Sequence, residues 1–296
     1  MQLLTHSEWD GTKQTLHLIS QLLGKIRLQL APPEPQWGHV SLPITVNGFT
    51  TGLLFEKERA LQIDVDVLTS RIEVCVDNRT HSISIEAGKS IKSYYDALFN
   101  KLRFEGIQVT INPKPQEMAF TGLLDTDETA LSYDASHARL GLRMFQKAAH
   151  EQLIYLSKLR CRKVKPALFW GTFDVSSIIV YSREHPYPEN KIIERVAFDE
   201  AMVEFGFWPG DPMTERPSFF ILPYPFLFKP LQQKTLKPDP AYYDPEKSEF
   251  FLHIEKWSSE QIQEFFSSSF EILMGEVGWE RHEYFFLPLK LEDETR

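Results

Sequence analysis

One stretch of sequence that reads as helix running into strand recurs 133 residues further on, and it restricts the fold more than any other feature. His17, Leu23, Lys25, Arg27, Pro33, Trp37 and Gly38 reappear without a gap as His150, Leu156, Lys158, Arg160, Pro166, Trp170 and Gly171. The matched set includes His and Trp, both rare types. Around each match the apolar residues fall at helical spacing: Leu16, Ile19, Leu23 and Ile26 first, then Leu142, Phe145, Ala149, Leu153 and Leu156. Each half also closes on a strand and a capped helix, 71–76 with 90–104 and 250–255 with 258–274. The expectation is an α+β chain of two duplicated halves, each an antiparallel sheet with helices packed on one face. At 296 residues the chain also exceeds the size at which one hydrophobic core usually stops growing.

The boundaries follow from changes of period. Residues 1–112 form the first repeat, opened by the capping box Thr5-His6-Ser7-Glu8. Its helix should stop by Pro32-Pro33, and Trp37 should open a strand in which Val40, Leu42, Ile44 and Val46 alternate. Further strands are expected at 52–55, 61–67, 71–76, 82–86 and 107–111, joined by turns too short for parallel pairing. Residues 113–133 lose all periodicity and read as a linker. Residues 134–296 form the second repeat, with strands at 167–174 and 175–181 and a Pro-rich insertion at 184–240. Within the insertion a short helix is expected at 192–205. The aromatic run 218–228 reads as an edge or irregular strand because of its prolines.

Composition narrows the partners. The formal net charge is −9, whereas a nucleic-acid binder needs a basic face to neutralise phosphates. The one dense basic run, 158–165, suits a helix C-terminus, with an anion site as the alternative. Cys75 and Cys161 make neither a disulfide framework nor a metal motif. No apolar stretch has membrane-spanning length, so neither membrane nor nucleic acid is expected as a partner, and the cytoplasm is the expected location. The chain carries no dinucleotide fingerprint, phosphate loop, HExxH, GxSxG or EF-hand loop, and neither cofactor nor metal is expected.

The candidate ligand-binding residues lie in the second half. The 169–174 segment, Phe-Trp-Gly-Thr-Phe-Asp, is the densest aromatic knot, and strand alternation would place Asp174 on the face of Trp170 and Thr172. Trp170, with Trp208 of the loop Gly206-Phe207-Trp208-Pro209-Gly210, would wall a pocket. Arg160 or Arg183 would hold an anionic group, His150 would add to a cationic edge, and Asp174 would orient a polar atom or pair with Arg183.

Leu16-His17 through Gly24-Lys25-Ile26-Arg27-Leu28, then Ala31-Pro32-Pro33 and Trp37, resembles the opening of the bacterial family called domain of unknown function 5996. The 169–174 knot with Ser182-Arg183, and the 206–210 loop, are similar to that family's other recurring blocks. The resemblance implies one protein from the first helix to Trp279 and carries with it no activity, cofactor or catalytic residue. From the residues themselves, the expected function is binding of a small molecule, an anion among the candidates, without catalysis. Two alternatives stand beside it: an enzyme using Asp174 with His17 or His150 as acid and base, and an interaction scaffold built on 184–240.

Overall fold

The computed structural model describes residues 2–287. Helix α1 (His6–Leu30) begins where expected: the Glu8 carboxylate accepts the Thr5 backbone N–H at 2.7 Å, closing the capping box. From Thr15 to Ile26 almost every residue is buried, so α1 runs through the middle of the molecule rather than along its surface. Two glycine contacts record how tightly it is held. A Cβ on Gly24 would lie 2.1 Å from the Trp170 indole, and one on Gly141 would lie 2.2 Å from Trp9. Both tryptophans are therefore packing pieces that require a hydrogen in place of a side chain opposite them.

The first half carries a five-stranded antiparallel sheet of β1 (Gly48–Thr50), β2 (Leu54–Glu56), β3 (Arg59–Asp66), β4 (Arg71–Val76) and β5 (Arg79–Ser84). Its order is β1-β3-β4-β5, with β2 also on β3. Helix α2 (Ile91–Phe104) follows, capped by Ser90. In the second half come α3 (Ala135–Leu156), β6 (Arg162–Phe169), β7 (Asp174–Glu184), α4 (Ile192–Ala197), β8 (Glu200–Trp208), β9 (Ser218–Tyr224), β10 (Tyr242–Asp244), β11 (Glu249–His253) and α5 (Ser259–Val277). The second sheet is antiparallel with order β10-β11-β9-β8-β7-β6. The α+β class and its two antiparallel sheets agree with the reading above, yet one core cluster runs through residues of both halves.

Several details depart from expectation. Trp37 lies not in a strand but in a 3-10 turn over Pro35–Trp37, with Gln36 and Trp37 both at positive φ. Pro43 interrupts the alternation after it, leaving two isolated bridges, Leu42 with Leu168 and Ile44 with Phe49. The first of these joins the N-terminal half to β6. Residues 107–111 bury Ile107 and Ile111 without forming a strand. The helix expected over 192–205 ends at Ala197, and β8 follows because Val203, Phe205 and Phe207 alternate onto the core. The 184–240 insertion therefore supplies the centre of the sheet. β9 is an interior strand, and Pro223 is tolerated because it lies past the last β11 partner, Ile221. Residues 113–133 form neither helix nor strand. They make a fixed strap, with Gln116 N–H donating to Gln21 Oε1 at 3.1 Å and Leu124 and Leu131 buried.

Candidate functional site

Alternation divides the second sheet into two chemically distinct faces. Val175, Phe205, Phe207, Phe219, Ile221 and Phe250 point to one side, fully buried, in the core they share with Phe145 of α3 and Phe266 of α5. Their neighbours, Asp174, Ser176, Glu204, Trp208, Phe220, Glu249 and Phe251, point to the other. There they form the floor of a cavity of about 390 Å³. The cover is built from four pieces of chain: the Gln36–Trp37 turn, Glu117 of the strap, α4 with Phe198, and the loop bearing Asp211 and Thr214. Gln36 Nε2 donates to Asp199 at 2.7 Å and to Glu200 at 3.0 Å, tying the first of these to the start of β8.

Gly206 gives the floor its shape. It pairs with Phe220, and a Cβ there would lie 1.9 Å from the ring, so the ring lies flat across the strand. The next ring along the same row, Phe251, also faces the cavity and carries the Lys247 ammonium 5.1 Å from its centroid.

Asp174 is placed by the β6–β7 turn. Phe173 takes positive φ and its N–H donates to Phe169 O at 2.8 Å, reversing the chain over four residues. His17 of α1 secures the turn from below, its Nε2 lying 3.0 Å from both Trp170 O and Gly171 O. Two carbonyl acceptors require a proton on that nitrogen. Burial lowers the imidazole pKa to about 4, so the ring is neutral. Gln21 Nε2 adds a bond to Trp170 O at 3.0 Å.

The Asp174 carboxyl is 4% exposed and accepts the hydroxyls of Thr172 and Ser176. Burial raises its pKa. Glu204, on the neighbouring strand β8, lines the same cavity; its pKa rises to about 8, chiefly from burial and then from the charge of Asp174. Glu249 is raised to about 7 by burial and nearby acids, against the opposing pull of Lys247. Glu117, which keeps much of its surface in water, is raised by burial and by Asp174.

Of the residues singled out in the sequence, Asp174 and Trp208 meet in this cavity. Trp170 lies across the turn from Asp174 rather than on its face. It is wholly buried on α1, with Nε1–H donating to Val40 O at 3.0 Å. Arg160 holds the C-terminal segment, its backbone N–H donating to Phe285 O at 2.8 Å and its Nε to Leu287 O at 2.7 Å. Arg183 is exposed at the far end of β7, and His150 is exposed on α3. Asp174 bonds Thr172 and Ser176, not Arg183, and neither His17 nor His150 lines the cavity. Its titratable lining is acidic except for Lys247, the reverse of what an anion needs. Sequence reasoning missed Glu204, Glu249 and Glu117. The available signal was a lone acid inside the apolar run Ala201-Met202-Val203-Glu204-Phe205, legible only if that run is read as a strand. Among the described residues, no group of three or more His, Cys, Asp or Glu is arranged to hold a metal ion.

These features define an α+β protein with an aromatic-walled, acid-floored cavity on one sheet face. The chain belongs to the family of unknown function DUF5996, whose model matches residues 2–285. Comparison with curated proteins finds no match, and comparison with solved structures finds none. No helix among the described residues is long and apolar enough to cross a membrane.

Proposed function

We propose that this protein binds a small organic molecule in the cavity between the second sheet and its cover. One observation carries the reading: a sheet face that could have been closed by apolar packing instead surrounds about 390 Å³ with aromatic rings and poorly solvated carboxyls. Such a volume lies within the usual range for ligand sites, and acids with raised pKa values concentrate at functional positions. The two free thiols, Cys75 and Cys161, suit work in a reducing compartment such as the cytoplasm.

The test is a thermal-shift screen of a metabolite library against wild type and Ala197→Trp, which fills the cavity from α4. A ligand at about 100 times its Kd stabilises the native state by about 2.7 kcal/mol. True ligands should raise the wild-type melting temperature by several degrees and leave the filled variant unmoved. Equal shifts in both proteins would place binding elsewhere and end this reading.

Two buried carboxyls in one cavity, Asp174 holding the Thr172 and Ser176 hydroxyls and Glu204 raised to about 8, favour a second reading, acid–base catalysis on the bound molecule. Mass spectrometry of each hit after incubation with the protein separates the two, because a binder returns its ligand unchanged.

A further inference from the structure

We propose that the ligand is an organic cation, a protonated amine on an apolar body, with its ammonium on the Asp174–Ser176–Glu204 floor and its body against Trp208, Phe220 and Phe251. This rests on the cavity being a ligand site. Three independent features support the charge and shape. First, among the described residues none of Glu117, Asp174, Glu204 and Glu249 makes an ion pair, although burial makes an unbalanced carboxylate costly. A cation brought in from outside supplies the missing partner. Second, the aromatic wall already accepts an ammonium, since Lys247 sits over the Phe251 ring at the cavity edge. Aromatic rings attract cations through the negative faces of their π systems, most strongly where water is excluded. Third, an ammonium has only donors, and the carboxyls of Asp174, Glu204 and Glu249 put acceptor oxygens on the floor.

The charged groups facing the ammonium position come from every side of the cavity. They are Asp174 on β7, Glu204 on β8, Glu249 with Lys247 at β11, Glu117 on the strap, Glu194 on α4, and Asp211 on the 208–218 loop. Only Lys247 opposes a cation. Without ligand, Glu204 and Glu249 hold their protons up to about pH 8 and about pH 7. A cation favours their ionised forms, so it must displace protons on entry. Apparent affinity for an amine should therefore rise with pH through that interval.

Three probes of one shape separate the possibilities by isothermal titration calorimetry: 2-phenylethylamine, its neutral analogue 2-phenylethanol, and phenylacetate. The amine should bind at least tenfold more tightly than the alcohol, and the carboxylate should not bind. Affinity for the amine should increase from pH 6 to pH 8. At pH 7.5 its heat should differ between phosphate and Tris by the amount that proton release predicts. Glu204→Gln keeps the shape of the floor and removes its charge. It should weaken the amine tenfold or more and leave the alcohol as it was, and Asp174→Asn should do the same. If amine and alcohol bind alike, if amine affinity falls as pH rises, or if library hits carry no protonated nitrogen, the cation inference is wrong while the cavity reading stands. If neither the library nor any probe distinguishes wild type from Ala197→Trp, both are wrong.

Discussion

Phe219 and Phe220 are consecutive residues on β9 and live in different chemistry. Phe219 is fully buried, packed on Phe207, Trp257 and Phe266 at ring-centroid distances of 5.1, 5.6 and 5.6 Å. Phe220 lies flat over Gly206 with its other face toward the cavity. The same division runs along β8, where Phe207 enters the core and Trp208 lines the cavity. A strand whose two faces are both rich in aromatics looks uniformly apolar, yet only one face is used for packing. The other face carries acids that a core would exclude and lines a cavity instead.

The comparison breaks most readily at Phe219. Phe219→Ala removes a ring enclosed on all sides and should cost about 3–5 kcal/mol, from lost burial plus the void left behind. Phe220→Ala deletes the same atoms beside a space that already exists, and should cost about 1 kcal/mol. Chemical denaturation read as a midpoint shift at constant slope measures both. Equal losses would mean that the cavity face contributes to the core as much as its opposite does.

Strands β2 to β5 of the first sheet, the Thr5–Glu8 capping box and helices α1 and α2 were legible in outline because alternation and helical spacing are clear there, whereas β1 was not expected and Pro43 broke the strand expected after Trp37. The second sheet was harder to read. β8 follows α4 with almost no break, and its near-continuous apolar run does not distinguish strand from buried helix. β9 carries Pro223, which argues against an interior strand until the end of β11 is known. With those two strands misplaced, Glu204 could not be seen as a cavity residue. Trp170 and Asp174 were assigned to one face because the turn at Phe173 was invisible: a non-glycine residue at positive φ has no sequence signature. The recurrence at 133 residues does not reappear as matched topology, since strand β6 runs up to Trp170 while no strand precedes Trp37, and the sheets differ in strand number and order.

A smaller effect tests the acid floor by pH. The Glu204 carboxyl rises from its ordinary 4.5 to about 8 in the folded chain. Between those values the folded state keeps a proton that the unfolded state releases, so Glu204 lowers stability as pH rises through the window. Solvent reaching the carboxyl through the cavity screens the full linkage value, and about 1–2 kcal/mol is expected between pH 5 and pH 8. Glu204→Gln should flatten that part of the stability profile and be the more stable protein at pH 8. An unchanged slope would mean that Glu204 is already balanced in the folded chain, and the case for a missing cation would weaken with it.

The smallest expected effect concerns Arg183, one of the two cationic candidates for an anion. It lies exposed near the end of β7, several residues beyond Ile178, the last β7 side chain to line the cavity. Exposed substitutions away from caps, cavities and buried networks usually change stability by no more than about 0.5 kcal/mol. Arg183→Ala should stay within that range. It should also leave untouched the affinity of any ligand that Ala197→Trp abolishes, because a charge so placed is screened by the water between it and the floor. If Arg183→Ala weakened such a ligand tenfold, the binding surface would extend past the cavity mouth along β7. The ligand would then carry an anionic group outside as well as its cation within. A change of stability alone, with affinity preserved, would instead assign Arg183 to holding the end of the strand.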